Sequence, residues 1–97
     1  MKPEKSDEEK AEVEKALSCS LMRIPRMDIH TVRELMRVGF TEIHQLYGRS
    51  PEVIFEEIQK LVPQTPRDRL FHVRMAVYYS ETENPNPELL HPWAWKD

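Results

Sequence analysis

Apolar residues recur at helical spacing over most of the chain, and no segment alternates apolar and polar positions as a strand would. One clear example follows Asp28, where a single apolar stripe is formed by Ile29, Val32, Leu35 and Met36. Residues 70–79 are instead apolar or aromatic almost all round, which predicts the most buried helix. The pattern predicts an all-α protein, a compact bundle of about five helices.

Capping signals define the first predicted helix. Ser6 and Glu9 form a capping box, and the helix they begin should break near the cluster Ser18-Cys19-Ser20. Residues 1–5 precede the cap and are expected to be disordered. The buried row expected on this helix consists of Val13, Leu17 and Leu21.

A helical hairpin is predicted around Ile24 and Pro25. Pro25 disfavours helical geometry at Ile24 and ends the first arm, while Asp28 is a natural N-cap for the second arm. The polar side chains of the second arm that should face water are Arg33, Glu34 and Arg37.

The second arm should end at Gly39, which suits a left-handed backbone conformation, and Phe40 should then point into the core. Thr41 is the expected N-cap of a short helix that reaches Tyr47. Because such a short helix is unstable alone, its apolar side chains, including Tyr47, should be held by packing.

Two longer helices are predicted to follow, each beginning with an N-cap and a proline. The pairs are Ser50-Pro51 and Thr65-Pro66. The expected buried stripe of the first of these helices consists of Ile54, Phe55, Ile58, Leu61 and Val62.

Residues 6–80 therefore form one predicted helical domain, and residues 81–97 form a Pro-rich connector and a tail. Trp93 and Trp95 alternate along this tail, which we expect to be extended, so one of them can pack on the aromatic helix around Tyr78 and Tyr79. Alternatively, Trp93 and Trp95 form an exposed aromatic patch that binds a protein partner.

Charge is unevenly distributed along the chain. The net charge of −3 argues against a generally basic surface. Residues 17–40 and 63–79 each carry +2, however, whereas residues 1–16 carry −2. If the two basic segments pack together, their arginines form a local basic patch; the alternative is a solvated helix face. The arginines concerned are Arg23, Arg26, Arg33 and Arg37 of the first segment, with Arg67, Arg69 or Arg74 of the second.

Several kinds of chemistry have no motif in this sequence. Cys19 is the only cysteine, which excludes an internal disulfide or a thiolate zinc site. The four histidines form no close pair, and with only Gly39 and Gly48 there is no Gly-rich phosphate loop. We expect a non-enzymatic protein with no catalytic residues, cofactor or metal.

No apolar run approaches the roughly 18 residues of a membrane span, and no apolar stretch of the secretory type follows the amino terminus. We therefore expect a cytoplasmic protein with no membrane partner.

Three stretches resemble a known bacterial family: the hairpin with Ile24-Pro25, the unit Leu-Met-Arg-Val-Gly-Phe-Thr-Glu-Ile-His-Gln-Leu at residues 35–46, and Arg74-Met-Ala-Val-Tyr-Tyr with the later Asn86-Pro-Glu-Leu-Leu and Trp93-Ala-Trp-Lys-Asp97. Over residues 17–97 the chain resembles the small "pathogenicity locus" proteins, also labelled mitomycin-resistance or helix-hairpin-helix proteins. The resemblance implies a helix-hairpin-helix or sterile-alpha-motif-like fold and a DNA-binding or partner-binding role in a DNA-repair or resistance context.

The hairpin departs from that family's pattern at two positions. Arg26 and Asp28 stand where the helix-hairpin-helix element has glycines, whose bare N–H groups bind a phosphate at a helix N-terminus. The Asp28 carboxylate would repel a phosphate, and Arg26 could at best cancel that repulsion.

Two hypotheses follow. The first is a non-catalytic helix-hairpin-helix module that binds DNA weakly through Arg23, Arg26, Arg33 and Arg37. The second is a protein-interaction module that has kept the fold and lost phosphate binding. An acidic first helix lying over the hairpin would itself block DNA.

Overall fold

A computed structural model gives the fold of residues 7–97, and the structural statements below concern those residues. Four α-helices are present: α1 (Asp7–Leu17), α2 (Ile29–Arg37), α3 (Pro51–Leu61) and α4 (Asp68–Glu81). Over this range there is no strand, and four short 3₁₀ turns complete the secondary structure: Ser20–Arg23, Ile43–Leu46, Pro87–Leu89 and Pro92–Trp95. The predicted all-α class is confirmed, while the predictions for residues 1–5 and for Ser6 lie outside the described residues.

The fifth helix that we expected is only a 3₁₀ turn, Ile43–Leu46. The side chain of Gln45 accepts the backbone N–H groups of Thr41, at 2.7 Å, and Glu42, at 3.0 Å. The N-cap is therefore Glu42 and not Thr41. Leu46 anchors the turn in the core, but Tyr47, which was predicted to pack, is 67% exposed.

α4 is the central helix, as predicted. It packs against α2, α3, the Ile43–Leu46 turn and the Pro92–Trp95 turn. Because a helix of 14 residues is only marginally stable alone in water, packing on several sides is what stabilises it. Its buried side chains are Leu70, Phe71, Val73, Met75, Ala76 and Val77.

Local capping rules correctly predict where α2 and α3 begin. Asp28 and Ser50 each accept a backbone N–H from the first turn of their helix, at 2.7 and 3.3 Å. The corresponding prediction for α4 is wrong, because this helix begins at Asp68. Thr65 instead donates its hydroxyl to the carbonyl of Val62 at 2.5 Å, so it belongs to the turn that follows α3.

Gly39 and Phe40 behave as predicted at the end of α2. Gly39 has a φ of +103°, which is the left-handed conformation that favours glycine. Phe40 follows it into the core.

Two leucines predicted to be buried are exposed. Leu17 and Leu61 are the last residues of α1 and α3, and their exposed fractions are 59% and 56%. After Leu17 the chain leaves the helix, so Leu21 enters the core from the next 3₁₀ turn instead of continuing the same row. Ala16 is the residue through which α1 reaches the core.

Candidate interaction surface

The first arm of the predicted hairpin is only the 3₁₀ turn Ser20–Arg23, and the segment that joins this turn to α2 has a glycine-like backbone at Arg26. Its φ of +60° is the only positive φ of a non-glycine residue within residues 7–97. A left-handed conformation costs a residue with a Cβ roughly 1 to 2 kcal/mol. Asp28, by contrast, is extended, with φ −108° and ψ 159°, and does not require glycine. Of the two departures from the family pattern, only Arg26 stands where the backbone favours glycine.

Both carboxylate oxygens of Asp28 have a partner. Oδ1 accepts the N–H of Thr31, and Oδ2 lies 3.1 Å from Nε2 of His72 on α4. Burial alone would raise the pKa of Asp28, but the Thr31 hydrogen bond and the adjacent His72 outweigh it and hold the pKa below its usual value. Near neutral pH a negative charge therefore occupies the N-terminus of α2, where a phosphate would otherwise bind.

Glu12 of α1 binds both arginines on the outer side of α2. Arg33 donates Nε and Nη2 to Oε1 of Glu12, at 2.9 and 2.7 Å. Arg37 donates Nε to Oε2 at 2.7 Å and Nη2 to Oε1 at 2.8 Å. We refer to Glu12, Arg33 and Arg37 as the Glu12 cluster.

The prediction that the polar side chains of α2 face water is wrong for two of the three. The Arg33 side chain is 14% exposed because α1 lies over it. The Glu34 side chain is 11% exposed and accepts a hydrogen bond from Arg69 of α4 at 2.7 Å. Arg37 remains partly open to solvent.

The Glu12 cluster has strong local electrostatics. Hydrogen bonds from Arg37 and then Arg33 outweigh partial burial and lower the pKa of Glu12 from 4.5 to about 2. The hydrogen bond to Glu12 also raises the pKa of Arg37 above its ordinary value. Glu9 places a second carboxylate 3.7 Å from Arg33. α1 thus provides the counter-charge for the arginines of α2.

The four hairpin arginines fall into two pairs with different surroundings. Arg33 and Arg37 belong to the Glu12 cluster. Arg23 and Arg26 are exposed, and neither forms an ion pair with any residue in the range 7–97.

The arginines of the second basic segment are also paired with carboxylates. Arg69 is bound to Glu34 of α2, as described above. Arg67 and Arg74 lie 2.6 and 3.0 Å from the carboxylate of Asp97. These pairs reduce the positive charge available to an external anion.

The tail folds back onto α4 instead of running extended. Trp95 lies in the 3₁₀ turn Pro92–Trp95, with its ring centroid 5.3 Å from that of Tyr78. Its indole N–H donates to the carbonyl of Leu89 at 2.7 Å, and Arg74 donates to the Trp95 carbonyl at 2.6 Å. Arg74 thereby connects the body of the molecule to the backbone of the tail.

The other tail tryptophan, Trp93, is 61% exposed. One edge of its ring contacts Phe71, with the ring centroids 5.6 Å apart and an interplanar angle of 66°. The exposed part of the Trp93 ring therefore forms an aromatic surface on the Pro92–Trp95 turn, which packs on the central helix α4.

Within residues 7–97, no group of three or more histidine, cysteine or acidic side chains is arranged to hold a metal ion. No helix in this range has the length and apolar character needed to cross a bilayer.

No protein family, curated protein or solved structure matches this chain.

Sequence reasoning missed the carboxylates that bind the arginines, above all Glu12. Nothing local distinguishes Glu12 from Glu14 on the same helix, because both precede a valine or lysine in a charged stretch. The signal that could have indicated the pairing is the acidic segment 1–16 followed directly by the basic segment 17–40.

Proposed function

We propose that this protein is a cytoplasmic, non-catalytic binding module of the helix-hairpin-helix type, related to sterile-alpha-motif-like folds, whose partner is another protein. The family resemblance over residues 17–97 supports this fold assignment, and so does the left-handed backbone at Arg26 within the hairpin turn. The helices themselves are those of a compact all-α domain.

The observation that carries the proposal is the exposed indole of Trp93. Exposed tryptophans are enriched among the side chains that contribute most to protein–protein affinity. The contact with Phe71 and the attachment of the Pro92–Trp95 turn to α4 restrict this side chain before binding, which lowers the entropic cost of ordering it in a complex.

The predicted hairpin is less suited to binding DNA than to binding a protein, because carboxylates of the chain itself already pair with its positively charged groups. Asp28 caps the N-terminus of α2, and Glu12 accepts hydrogen bonds from Arg33 and Arg37. A phosphate approaching this surface would have to displace or approach two charged carboxylates.

Weak DNA binding is the second candidate function, and one specific observation favours it. Arg23 and Arg26 are exposed at the hairpin and have no ion pair within residues 7–97, so both guanidinium groups are open to a phosphate.

Site-specific photo-crosslinking tests the protein-binding function. We expect p-benzoylphenylalanine at Trp93, in the full chain, to capture a specific protein from cells of the source organism. Val53, an exposed apolar residue of α3, is the matched control position and should capture none. With the captured protein purified, Trp93→Ala should weaken its affinity by about 30-fold, the value for a tryptophan hot spot of about 2 kcal/mol. Val53→Ala should leave the affinity unchanged, and equal effects of the two substitutions would refute the role of Trp93.

Fluorescence anisotropy with duplex, single-stranded and branched DNA, at about 50 and about 200 mM salt, tests the second candidate, since phosphate contacts are salt-sensitive. We expect no salt-sensitive binding. Salt-sensitive binding that is lost in Arg23→Ala with Arg26→Ala, but kept in the charge-matched control Lys60→Ala with Lys96→Ala, would establish DNA as the partner instead.

A further inference from the structure

α1 is attached to the domain more by charge than by apolar burial. Ala16 is the only buried residue of this helix, and Leu17 at its end is exposed. α1 packs against α2 and the adjacent Ser20–Arg23 turn. The Glu12 cluster joins α1 to α2 through hydrogen bonds in which two guanidinium groups bind one carboxylate.

A helix held in this way is easier to displace than one held by a large apolar contact. Charged groups that are near solvent are screened by salt and can exchange with water or with another anion. The Glu12 cluster lines an open groove together with Glu8 and Glu9, and Arg37 is 41% exposed, so solvent and salt reach the cluster.

Two positively charged side chains of α2 lie beneath α1. Arg33 and Arg37 are spaced four residues apart on α2, and His30 precedes Arg33 on the same side, where the three residues line a second groove. Removal of Glu12 would leave Arg37 without its hydrogen-bonded carboxylate, and would leave Arg33 only the more distant Glu9, at 3.7 Å. A replacement ligand must supply a negative charge between the two guanidinium groups.

We propose that α1 is a built-in ligand, and that the side of α2 formed by His30, Arg33 and Arg37 binds an acidic helix of a partner protein that displaces α1. The structure itself contains an example of the required chemistry, because α1 is an acidic helix with one carboxylate placed between the two guanidinium groups. This surface is separate from Trp93, so the inference holds or fails independently of the function proposed for that residue.

A helix fits this surface better than a nucleic acid backbone does. Two further carboxylates lie on or next to this helix: Asp28 caps the N-terminus of α2, and Glu34 lines the second groove together with Arg33 and Arg37. A phosphodiester chain carries regularly spaced charges and would meet these carboxylates. A helix can place its carboxylates at chosen positions and make the rest of the contact with uncharged side chains, as α1 does with Glu12 and Ala16.

Competition with α1 supplied as a separate peptide tests the inference. The probe is a fluorescein-labelled peptide of residues 7–17 with blocked ends, titrated with the full-length protein at low salt. Glu12→Gln weakens the attachment of the tethered helix and retains both arginines. Glu14→Gln is the matched control, because it makes the same charge change on an exposed position of α1.

We expect Glu12→Gln to bind the peptide about tenfold more tightly than the unaltered protein or Glu14→Gln does, since the tethered helix competes at high effective concentration only when Glu12 is present. This increase in peptide affinity should disappear when Arg33→Gln and Arg37→Gln are added to Glu12→Gln. It should also disappear when the peptide itself carries Gln in place of Glu12. If Glu12→Gln does not unfold cooperatively, Glu12→Asp, which shortens the side chain by one methylene, takes its place.

Two results would overturn the inference. One is equal peptide affinity for Glu12→Gln, Glu14→Gln and the unaltered protein. The other is tighter binding of duplex DNA than of the peptide by Glu12→Gln, which would make the surface beneath α1 a phosphate site.

Discussion

Arg26 adopts a left-handed conformation because the residues on either side of it are fixed in the core. Ile24 is 1% exposed, Met27 is 8% exposed, and the N–H of Met27 donates to the carbonyl of Ile24 at 3.1 Å. The turn between these anchors requires a positive φ at Arg26. The Arg26 side chain itself is exposed, so the conformation comes from the backbone and not from a contact of the guanidinium group.

Glycine should therefore stabilise the protein at this position. We expect Arg26→Gly to raise the free energy of unfolding by about 1 kcal/mol, because relief of roughly 1 to 2 kcal/mol of backbone strain exceeds the added flexibility of the unfolded chain. Urea denaturation measures this change. For a domain of this size the melting temperature should rise by about 4 to 8 °C.

Arg26→Ala is the control for the loss of the side chain. Alanine removes the guanidinium group but keeps the Cβ, so the strain remains and stability should change little. If Arg26→Ala stabilised the protein as much as Arg26→Gly, the gain would come from removal of charge, and the backbone explanation would be wrong.

At the scale of elements, α1 differs from the other three helices in the origin of its stability. α2, α3 and α4 each bury two or more large apolar side chains, whereas α1 buries only Ala16 and depends on the Glu12 cluster. Its attachment should consequently depend more strongly on pH and salt than the packing of the apolar core does.

Acid should release α1 before the rest of the domain unfolds. The pKa of Glu12 is lowered from 4.5 to about 2 by its hydrogen bonds with Arg37 and Arg33. Because the folded-state pKa is the lower one, the ionised cluster stabilises the attached helix fully above about pH 4.5. This stabilisation is lost progressively as the pH falls toward 2. Backbone amide chemical shifts of α1, followed by NMR across this range, should move toward random-coil values while those of α4 do not.

Glu12→Gln separates this effect from general acid denaturation. Its α1 shifts should already lie closer to random coil at neutral pH and should change little between pH 4.5 and 2, whereas Glu14→Gln should titrate like the unaltered protein. An α1 transition of the same size in Glu12→Gln would assign the acid response to other carboxylates.

The starts of α2 and α3 could be predicted from sequence because they depend on neighbouring residues, although the same rules gave wrong starts for α4 and for the Ile43–Leu46 turn. Asp28 and Ser50 cap the helices that follow them through hydrogen bonds three residues along the chain. The surroundings of Arg33 could not be predicted, since its partner Glu12 is 21 residues away and looks like any exposed glutamate. For the same reason, the pairing of Arg37 with Glu12, 25 residues away, could be found only from the fold.

At the scale of the whole molecule, Arg74 joins three parts of the fold. It lies on α4, forms an ion pair with Glu52 of α3 at 3.2 Å, and donates to the carbonyl of Trp95 in the tail. Its guanidinium carbon also lies 6.0 Å from the ring centroid of Phe71. The side chain is 19% exposed, so these contacts are largely shielded from solvent. Trp93, attached beside Phe71, depends on the same arrangement.

Removal of Arg74 should therefore loosen the tail. In a Trp93→Phe background Trp95 is the only tryptophan, so its fluorescence reports the tail alone. We expect Arg74→Ala to shift Trp95 emission to longer wavelength and to lower the free energy of unfolding by about 1 to 3 kcal/mol, as for a shielded hydrogen bond from a charged donor. Arg67→Ala is the control, because Arg67 pairs with Asp97 at an exposed site and makes no bond to Trp95. It should leave the emission unchanged, since exposed ion pairs contribute little. Equal shifts in the two variants would mean that Asp97, and not the bond to the Trp95 carbonyl, holds the tail on α4.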